Sequence, residues 1–313
     1  MPSAAAGEHL GSVSMALYLH DDEPERAART LLEQARTALD GGFHGITISE
    51  HHAGFPGYVP VPATMAATIL GATRRGWVAP SPILLPLRPV PLVMEEIAWL
   101  AASHPGRVAA GLAAGYSQRD FDVYELDRNA AAKTFRAQLA AWQERTADHS
   151  APLHDDPAIS GVLPKTPVLV CTGGPKMAAL AARNGFGLFL PPVDDHAKNR
   201  PAIDSYRAAD GIGPCLAGQW VWLGEPPPAG LDALAQAYPD VDDSGKQAYA
   251  PGVLHEHDPN SLADRLHQLM IDLGLTGISL RVHLPGVDAK TTSTQIQLLA
   301  EKLVPRLEAR LSE

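Results

Sequence analysis

Residues 42–52 read Gly-Phe-His-Gly-Ile-Thr-Ile-Ser-Glu-His-His, a short apolar strand that runs directly into a carboxylate and two histidines. An Ala-rich stretch with helical spacing, residues 23–40, precedes it, and a second one, residues 62–73, follows. In parallel α/β folds, the carboxyl ends of the strands carry the chemically active side chains. The segment therefore predicts one strand–helix unit of such a fold, with polar groups at the functional end of the strand.

The same alternation continues along the whole chain. Strands are predicted at 12–19, 45–49, 77–85, 107–113, 168–171, 187–190, 216–223 and 277–282. Helices are predicted at 23–40, 62–73, 91–102, 129–147, 175–184, 196–209, 261–273 and 291–311. Eight such pairs predict an α/β protein, a single (β/α)8 TIM-type barrel domain over residues 1–313. A doubly wound open sheet is disfavoured, because no glycine-rich dinucleotide fingerprint follows the first strand.

One long stretch, residues 224–259, is predicted to be irregular. It contains Pro226-Pro227-Pro228 and the acidic run 240–245, and it follows predicted strand seven. Irregular connections of this length are usually functional lids or disordered segments. Because Tyr238, Tyr249 and Leu254 supply apolar groups, the stretch is interpreted as a lid insertion over the mouth of the barrel.

Composition excludes several classes of function. The 313 residues include 25 Lys and Arg against 35 Asp and Glu, a formal charge of −10, which argues against nucleic acid as a partner. Two cysteines cannot build a disulfide framework or a four-sulfur zinc site. No secretory signal and no membrane-spanning run is recognised in the sequence, so a cytoplasmic location without membrane partners is expected.

Glu50, His51 and His52 are the first candidates for catalysis. Histidine exchanges protons near neutral pH, so two histidines beside a carboxylate fit acid–base work. The alternatives are histidines bonded to backbone, or a metal site. Because neighbouring residues of an extended chain point to opposite faces, at most one of the two histidines would face a metal, and no metal ligand is assigned.

Three further strand ends contain candidate binding residues. Residues 84–91, Leu-Leu-Pro-Leu-Arg-Pro-Val-Pro, predict a proline-fixed turn, for which a rigid strand–helix connection is the favoured explanation over a functional role. Residues 111–121 contain glycines that permit close approach of a flat ligand, with Tyr116 and Arg119 as polar contacts. Residues 170–177 place Gly173 and Gly174 before a helix, either as an anion site or as a plain turn.

In this order, the segments resemble the bacterial luciferase-like monooxygenase family of flavin-dependent barrels. The resemblance is carried by residues 42–52, by 84–88 with Glu95-Glu96-Ile97-Ala98, and by Pro105-Gly106-Arg107-Val108 through Gly115. It continues with Asp120-Phe121 and with residues 167–174 and 180–182, and spans about residues 12–190. The last third of the chain matches only in its general pattern.

The resemblance implies a barrel whose mouth holds a flavin, usually reduced FMN delivered by a transient partner reductase, or in some relatives an 8-hydroxy-5-deazaflavin. The implied cofactor-binding residues are Leu84, Leu85, Ala113, Ala114, Gly115, Tyr116, Thr172, Gly173, Gly174, Lys176 and Met177. His51 or His52 would act as the acid or base. A non-proline cis peptide bond would lie near residues 84–85, and helices 62–73 and 91–102 would pack into a homodimer.

The chain departs from the family pattern at Ala114, where luciferases carry an arginine that helps to hold the flavin phosphate. Arg119 or Lys176 is the candidate replacement. The resulting expectation is an FMNH2-using monooxygenase that oxidises a small or medium apolar substrate with O2. The alternatives are a deazaflavin-dependent dehydrogenase or reductase, a catalytically silent flavin-binding barrel, and a metal-dependent hydrolase built on Glu50 and the histidines.

Overall fold

The computed structural model describes residues 13–20, 23–193, 195–237 and 252–312. The strands in this part of the chain are β1 (Val13–Leu17), β2 (Gly45–Ile48), β3 (Trp77–Pro80), β4 (Ile83–Leu84), β5 (Ala110–Ala113), β6 (Val168–Cys171), β7 (Gly187–Leu190), β8 (Cys215–Leu223), β9 (Val253–Glu256) and β10 (Gly277–Arg281). The α-helices are α1 (Pro24–Asp40), α2 (Pro62–Ala72), α3 (Val90–Ser103), α4 (Gln118–Asp122), α5 (Ala131–Ala147), α6 (Pro157–Gly161), α7 (Pro175–Arg183), α8 (Arg200–Ala208), α9 (Pro228–Ala237), α10 (Pro259–Leu273), α11 (Ala289–Leu298) and α12 (Val304–Leu311).

The strands form one parallel sheet that nearly closes on itself. Neighbours follow the order β3-β2-β1-β10-β8-β7-β6-β5-β4, with β9 paired to β8. The two ends of this order, β3 and β4, are consecutive pieces of chain, and a bridge between Val78 and Val108 joins β3 to the segment before β5. This nearly closed parallel α/β barrel confirms the predicted fold class.

The predicted strand at 77–85 is divided in two. β3 pairs with β2, β4 pairs with β5, and the residues between them are Ser81 and Pro82. Proline has no amide hydrogen for a sheet ladder, which explains the interruption. The Ser81–Pro82 peptide bond is cis, and it is the only cis bond in the described residues. The expectation of a non-proline cis bond near residues 84–85 was wrong, since proline is the residue that makes the cis form accessible.

Apolar side chains fill the space on both sides of the barrel wall. Outside it, one core packs β1 and β2 against α1, α2 and α10, and a second packs β4 to β7 against α3, α5, α7 and α8. Inside it, Trp77, Leu169, Phe189 and Leu216 form an apolar cluster. Phe189 also lines the cavity above this cluster and forms part of its floor. The barrel interior is therefore solid below the cavity, as expected for this fold.

The region 224–259 is less irregular than predicted. It contains α9 and β9, so the prediction of an irregular insertion was wrong for these two elements. Pro228 is the first residue of α9, where the missing amide hydrogen costs nothing, and the proline run begins the helix rather than excluding one. Leu234 of α9 is buried beside Trp222. Residues 238–251, with Tyr238 and Tyr249, lie outside the described residues, and the lid role stays a prediction.

The helices begin and end at residues that are typical of helix termini. Pro24, Pro62 and Pro175 are the first residues of their helices, and Asp258 caps α10 by accepting hydrogen bonds from two backbone amides. Gly274 ends α10 in the left-handed conformation, with φ of 60°. None of the helices in the described ranges combines the length and the apolar character that crossing a membrane requires.

Candidate active site

A cavity of about 270 Å³ opens at the carboxyl ends of the barrel strands. Nine residues predicted from the sequence line it, namely Glu50, His51, Leu84, Ala113, Ala114, Gly115, Tyr116, Thr172 and Gly173. The other five predicted residues, His52, Leu85, Gly174, Lys176 and Met177, are outside the lining. The fold thus brings together side chains from the ends of β2, β4, β5 and β6, which are distant in sequence.

Glu50 is completely buried at the end of β2 and holds three elements together. Its Oε1 accepts hydrogen bonds from Arg88 at 2.8 Å and from His52 Nε2 at 2.8 Å, and its Oε2 accepts one from the Leu84 amide at 3.0 Å. Arg88 also binds Glu96 of α3 at 3.2 Å. Because a buried carboxylate needs this degree of compensation, Glu50 acts here as an anchor of the site.

His51 stands at the edge of the cavity and is oriented by Asp120 of α4. Its Nδ1 donates to Asp120 Oδ2 at 2.6 Å, and Asp120 is fully buried. The imidazole stacks on Phe55 with 4.3 Å between ring centroids and meets Tyr58 edge-on at 4.5 Å. The carboxylate fixes one tautomer, which leaves Nε2 for a molecule in the cavity. This arrangement can donate or accept a proton at that atom.

His52 has a different environment from His51. Its backbone amide donates to Asp120 Oδ1 at 2.8 Å, its Nε2 contacts Glu50, and its Nδ1 lies 3.4 Å from the Tyr124 hydroxyl. It does not line the cavity. The alternation of side chains along an extended segment, which separates neighbouring residues, explains why only one of the two histidines faces the cavity.

Leu84, Ala113, Ala114 and Gly115 form a flat, mostly apolar part of the cavity wall. Next to it, Thr172 and Gly173 precede α7, and the Gly174 amide donates to the Thr172 hydroxyl at 3.0 Å. Leu85 is fully buried in the outer core instead, and Met177 packs against that same core. Lys176 and Arg119 are exposed and do not line the cavity, so replacement of the missing arginine by either residue stays a prediction.

Another part of the lining is aromatic and carries a cation, and Tyr18, which is not itself in the lining, contacts its rings. Tyr18 stacks with Trp220 at 6.0 Å between ring centroids and meets Tyr58 edge-on at 5.1 Å. The guanidinium carbon of Arg281 lies 6.0 Å from the centre of the Tyr18 ring and 5.9 Å from that of Trp220. Trp220, Tyr58 and Arg281 all line the cavity.

Cys171 lies inside the barrel between these two walls. Its thiol is 3.6 Å from the Ser81 hydroxyl, and a Cβ on Gly111 would lie 2.8 Å from its sulfur. Gly111 therefore leaves the room that the Ser81–Cys171 pair occupies. Burial raises the pKa of the Cys171 thiol to about 12, against smaller opposing effects of Ser81 and the charge of Arg281.

Sequence reasoning missed the role of Asp120 and the position of Arg281. Asp120 was recognised only as part of a family pattern, since nothing in its local sequence connects it with His51. The inward orientation of Arg281 can be derived from strand geometry. Alternate residues of a barrel strand point inward, and Ser279, two residues before Arg281, bonds Thr47 across the interior. That parity argument could have identified Arg281.

No group of three or more His, Cys, Asp and Glu side chains suited to a metal ion occurs within the described ranges. Glu50 and His52, which the hydrolase alternative requires, already bond to each other and to protein groups.

Sequence comparison identifies relatives of the chain. The model of the family described as luciferase-like monooxygenase matches residues 11–224. An uncharacterized protein y4vJ of Sinorhizobium fredii is 28% identical over 53% of this chain and 50% of its own. The alkanal monooxygenase alpha chain of Photorhabdus luminescens is 30% identical over 36% of this chain and 30% of its own. The chain thus matches half or less of the length of these curated relatives.

Solved structures share the fold at low sequence identity. The monooxygenase RslO1 from Streptomyces bottropensis has a TM-score of 0.74 at 19% identity, covering 94% of this chain and 99% of its own. The oxygenating constituent of 3,6-diketocamphane monooxygenase from Pseudomonas putida, in complex with FMN, has a TM-score of 0.69 at 14% identity, covering 95% and 98%. An F420-dependent secondary alcohol dehydrogenase has a TM-score of 0.71 at 16% identity, covering 95% and 99%.

Proposed function

The chain belongs to the luciferase-like monooxygenase family, and from that premise we propose that it is a flavin-dependent monooxygenase. It uses reduced FMN, supplied by a separate reductase, and O2 to oxidise a small or medium, largely apolar substrate. The observation that supports this best is His51, which lies at the cavity edge with its Nδ1 held by a buried carboxylate. Such a pair is suited to proton exchange beside a bound cofactor.

The residues of one cavity wall fit a flavin. Ala113, Ala114 and Gly115 offer a surface of small side chains beside Leu84, and the backbone at the start of α7 offers amide groups for a phosphate. The flavin supplies, when bound, the electrons for the reaction with O2. The fit is incomplete at Ala114, where the expected positive charge is missing.

The protein contributes proton handling and exclusion of water. Asp120 keeps the proton of His51 on Nδ1, so Nε2 is the atom that exchanges a proton with a molecule in the cavity. Phe55, Tyr58 and Tyr116 surround the His51 ring at centroid distances of 4.3, 4.5 and 5.2 Å. Aromatic rings at these distances shield the imidazole from bulk water, which strengthens its interaction with a bound group.

The second candidate is a dehydrogenase that uses the deazaflavin F420. It is supported by the F420-dependent secondary alcohol dehydrogenase, whose TM-score of 0.71 is close to that of the FMN complex. The same apolar wall and the same amide groups before α7 would suit either cofactor. The two functions differ in which reduced cofactor binds and in whether O2 is consumed.

Anaerobic titration with reduced FMN and with reduced F420, followed by absorbance, distinguishes the two cofactors. We expect reduced FMN to bind more tightly, and mixing with O2 and a panel of aldehydes and ketones to give substrate-dependent oxygen consumption. Tighter binding of F420 would establish the dehydrogenase instead. Failure to bind either cofactor would contradict the proposal.

Variants then test the role of His51. His51→Gln is expected to retain reduced FMN and to slow turnover by about 10²- to 10⁴-fold, the usual contribution of an acid–base group. His257→Gln is the matched control, because the His257 side chain is 78% exposed and lies outside the cavity lining. Unchanged turnover in the His51 variant would exclude His51 as the acid–base group, whereas flavin binding without any turnover in the native protein would indicate a silent flavin-binding barrel.

A further inference from the structure

Part of the cavity lining lies outside the region that the proposed function assigns to the cofactor. That region comprises the small side chains at the ends of β4 and β5 and the amide groups at the start of α7. The end of β7 contributes Phe189, Pro191 and Pro192 instead. Because these side chains have no hydrogen-bonding or ionisable group, this part of the lining selects a bound molecule by its shape and its apolar surface.

Phe189 forms the boundary between the cavity and the interior of the barrel. It is the third residue of β7, in register with Cys171 of β6 and Leu216 of β8. The interior cluster contains its side chain together with Trp77, Leu169 and Leu216. Of these four side chains, Phe189 alone lines the cavity. A molecule that enters from the carboxyl ends of the strands therefore reaches the Phe189 ring when it reaches the floor.

The floor is backed by packed side chains. Leu169 and Leu216, in the strands on either side of β7, are buried together with Phe189. The Trp77 ring covers Gly45 of the neighbouring strand β2, since an added Cβ on this glycine would lie 2.2 Å from the ring. Closely packed interiors yield little, so a molecule that displaced the Phe189 ring would disturb the whole cluster.

Two prolines make the adjoining wall rigid as well. Pro191 and Pro192 follow β7 directly, and the proline ring fixes the backbone angle φ. A Cβ on Gly173 would lie 3.2 Å from Pro191, and one on Gly218 would lie 3.2 Å from Pro192. Each ring therefore packs closely on the backbone beside it, and the Pro191 carbonyl also accepts a hydrogen bond from Asn199 at 3.1 Å. A cavity with a fixed floor and a fixed wall discriminates by length.

We propose that Phe189 sets the length of the apolar substrate that the cavity accepts. The reacting end of the substrate lies beside His51 at the cavity edge, and its apolar body extends toward β7 and ends against the Phe189 ring. The substrate class is a molecule with one reactive end and an apolar body of limited length. The proposal rests on the proposed function in one respect, namely that the cofactor occupies the other part of the cavity.

The first test measures how affinity depends on length, with straight-chain primary alcohols as probes in ligand-observed NMR titrations of the full chain. Each CH2 group that is buried in an apolar site tightens binding about fourfold. We expect this increase in the native protein until the alkyl chain reaches Phe189, and no increase beyond that length. Phe189→Ala removes the ring, and the increase is expected to continue for at least about two more carbon atoms, because the surrounding core fills the vacated space only in part.

Phe186→Ala is the matched control, because Phe186 is also buried and directly precedes β7 but packs in the outer core. The same substitution there is expected to leave the limiting length unchanged. Phe189→Leu covers the case in which Phe189→Ala does not fold, since it removes less volume, and is expected to extend the limit by about one carbon atom. An unchanged limit in the folded Phe189 variants, or a native affinity that shows no limiting length, would overturn the proposal.

The second test separates the substrate from the cofactor as the molecule that contacts Phe189. We expect the FMN affinity of the Phe189 variants, measured by absorbance titration, to equal that of the native protein, and saturating FMN to leave the limiting length unchanged. Displacement of the alcohols by FMN, or a loss of FMN affinity in the Phe189 variants alone, would assign Phe189 to the cofactor and overturn the proposal. A limit set by Phe189 without any flavin binding would refute the proposed function, whereas flavin binding with a limit independent of Phe189 would refute this proposal alone.

Discussion

Asp120 lies far from His51 and His52 in the sequence but binds both of them. One of its carboxylate oxygens accepts a hydrogen bond from the His51 ring, and the other accepts one from the His52 backbone amide. Asp120→Asn keeps the shape but replaces one acceptor with a donor, so the preferred tautomer of His51 changes. We expect turnover to fall about as much as in His51→Gln, and the double variant to lose little more, because the two residues act as a unit. Steady-state kinetics over pH 5.5–9 checks this. Additive losses in the double variant would show that Asp120 acts independently of His51.

At the scale of elements, Glu50 connects the end of β2 to the end of β4 and, through Arg88, to α3. Glu50→Gln leaves the Arg88 side chain, which is 14% exposed, without its closer carboxylate. We expect a loss of unfolding free energy on the order of 3 kcal/mol, the usual cost of removing one partner of a buried ion pair. Glu96→Gln is the matched control, because the Glu96 side chain is 33% exposed, and a smaller loss is expected. Urea denaturation measures both, and equal losses would contradict the anchoring role of Glu50.

The elements themselves were largely predictable, because the apolar periods and the proline and glycine positions are local properties of the sequence. The division of strand 77–85 was not, since it depends on which neighbours β3 and β4 find when the barrel closes. The region 224–259 was misjudged at α9, because a run of three prolines at a helix start looks like a loop in isolation. Pairings between distant segments, such as His51 with Asp120, require the fold before they can be seen.

For the whole molecule, stability is expected to depend on the protonation of His283. Burial, with a smaller contribution from the charge of His20, lowers the pKa of His283 from 6.5 to about 3. Between pH 6.5 and about pH 3, His283 is protonated in the unfolded chain and neutral in the folded protein. The free energy of unfolding therefore falls as the pH decreases through this range. From pH 7.5 to 5.5 this contributes a loss of about 1.4 kcal/mol. Urea denaturation of the native protein and of His283→Gln at both pH values checks this, and an equal pH dependence in the two proteins would exclude His283 as its source.

We propose that the molecule self-associates through α2 and α3. Leu92 and Trp99 lie on one face of α3 and are 46% and 52% exposed, and Val61, 47% exposed, directly precedes α2. Exposed apolar groups clustered on neighbouring helices are typical of an interface. We expect a dimer in light scattering, converted to a monomer by Leu92→Asp. Ile212→Asp is the control, because Ile212 is 85% exposed elsewhere. A native monomer, or dissociation by the control variant, would contradict this interface.

The raised pKa of Cys171 affects how readily an oxygen-using enzyme of this kind would be inactivated by oxidation of its own side chains. A cavity that activates oxygen exposes its own walls to oxidants, and cysteine is attacked mainly as the thiolate. With a pKa of about 12, the Cys171 thiol stays protonated at physiological pH. In the proposed monooxygenase, the burial that places sulfur in the wall would thereby also slow its oxidation, so that a small, polarisable side chain would persist beside the reaction over many turnovers.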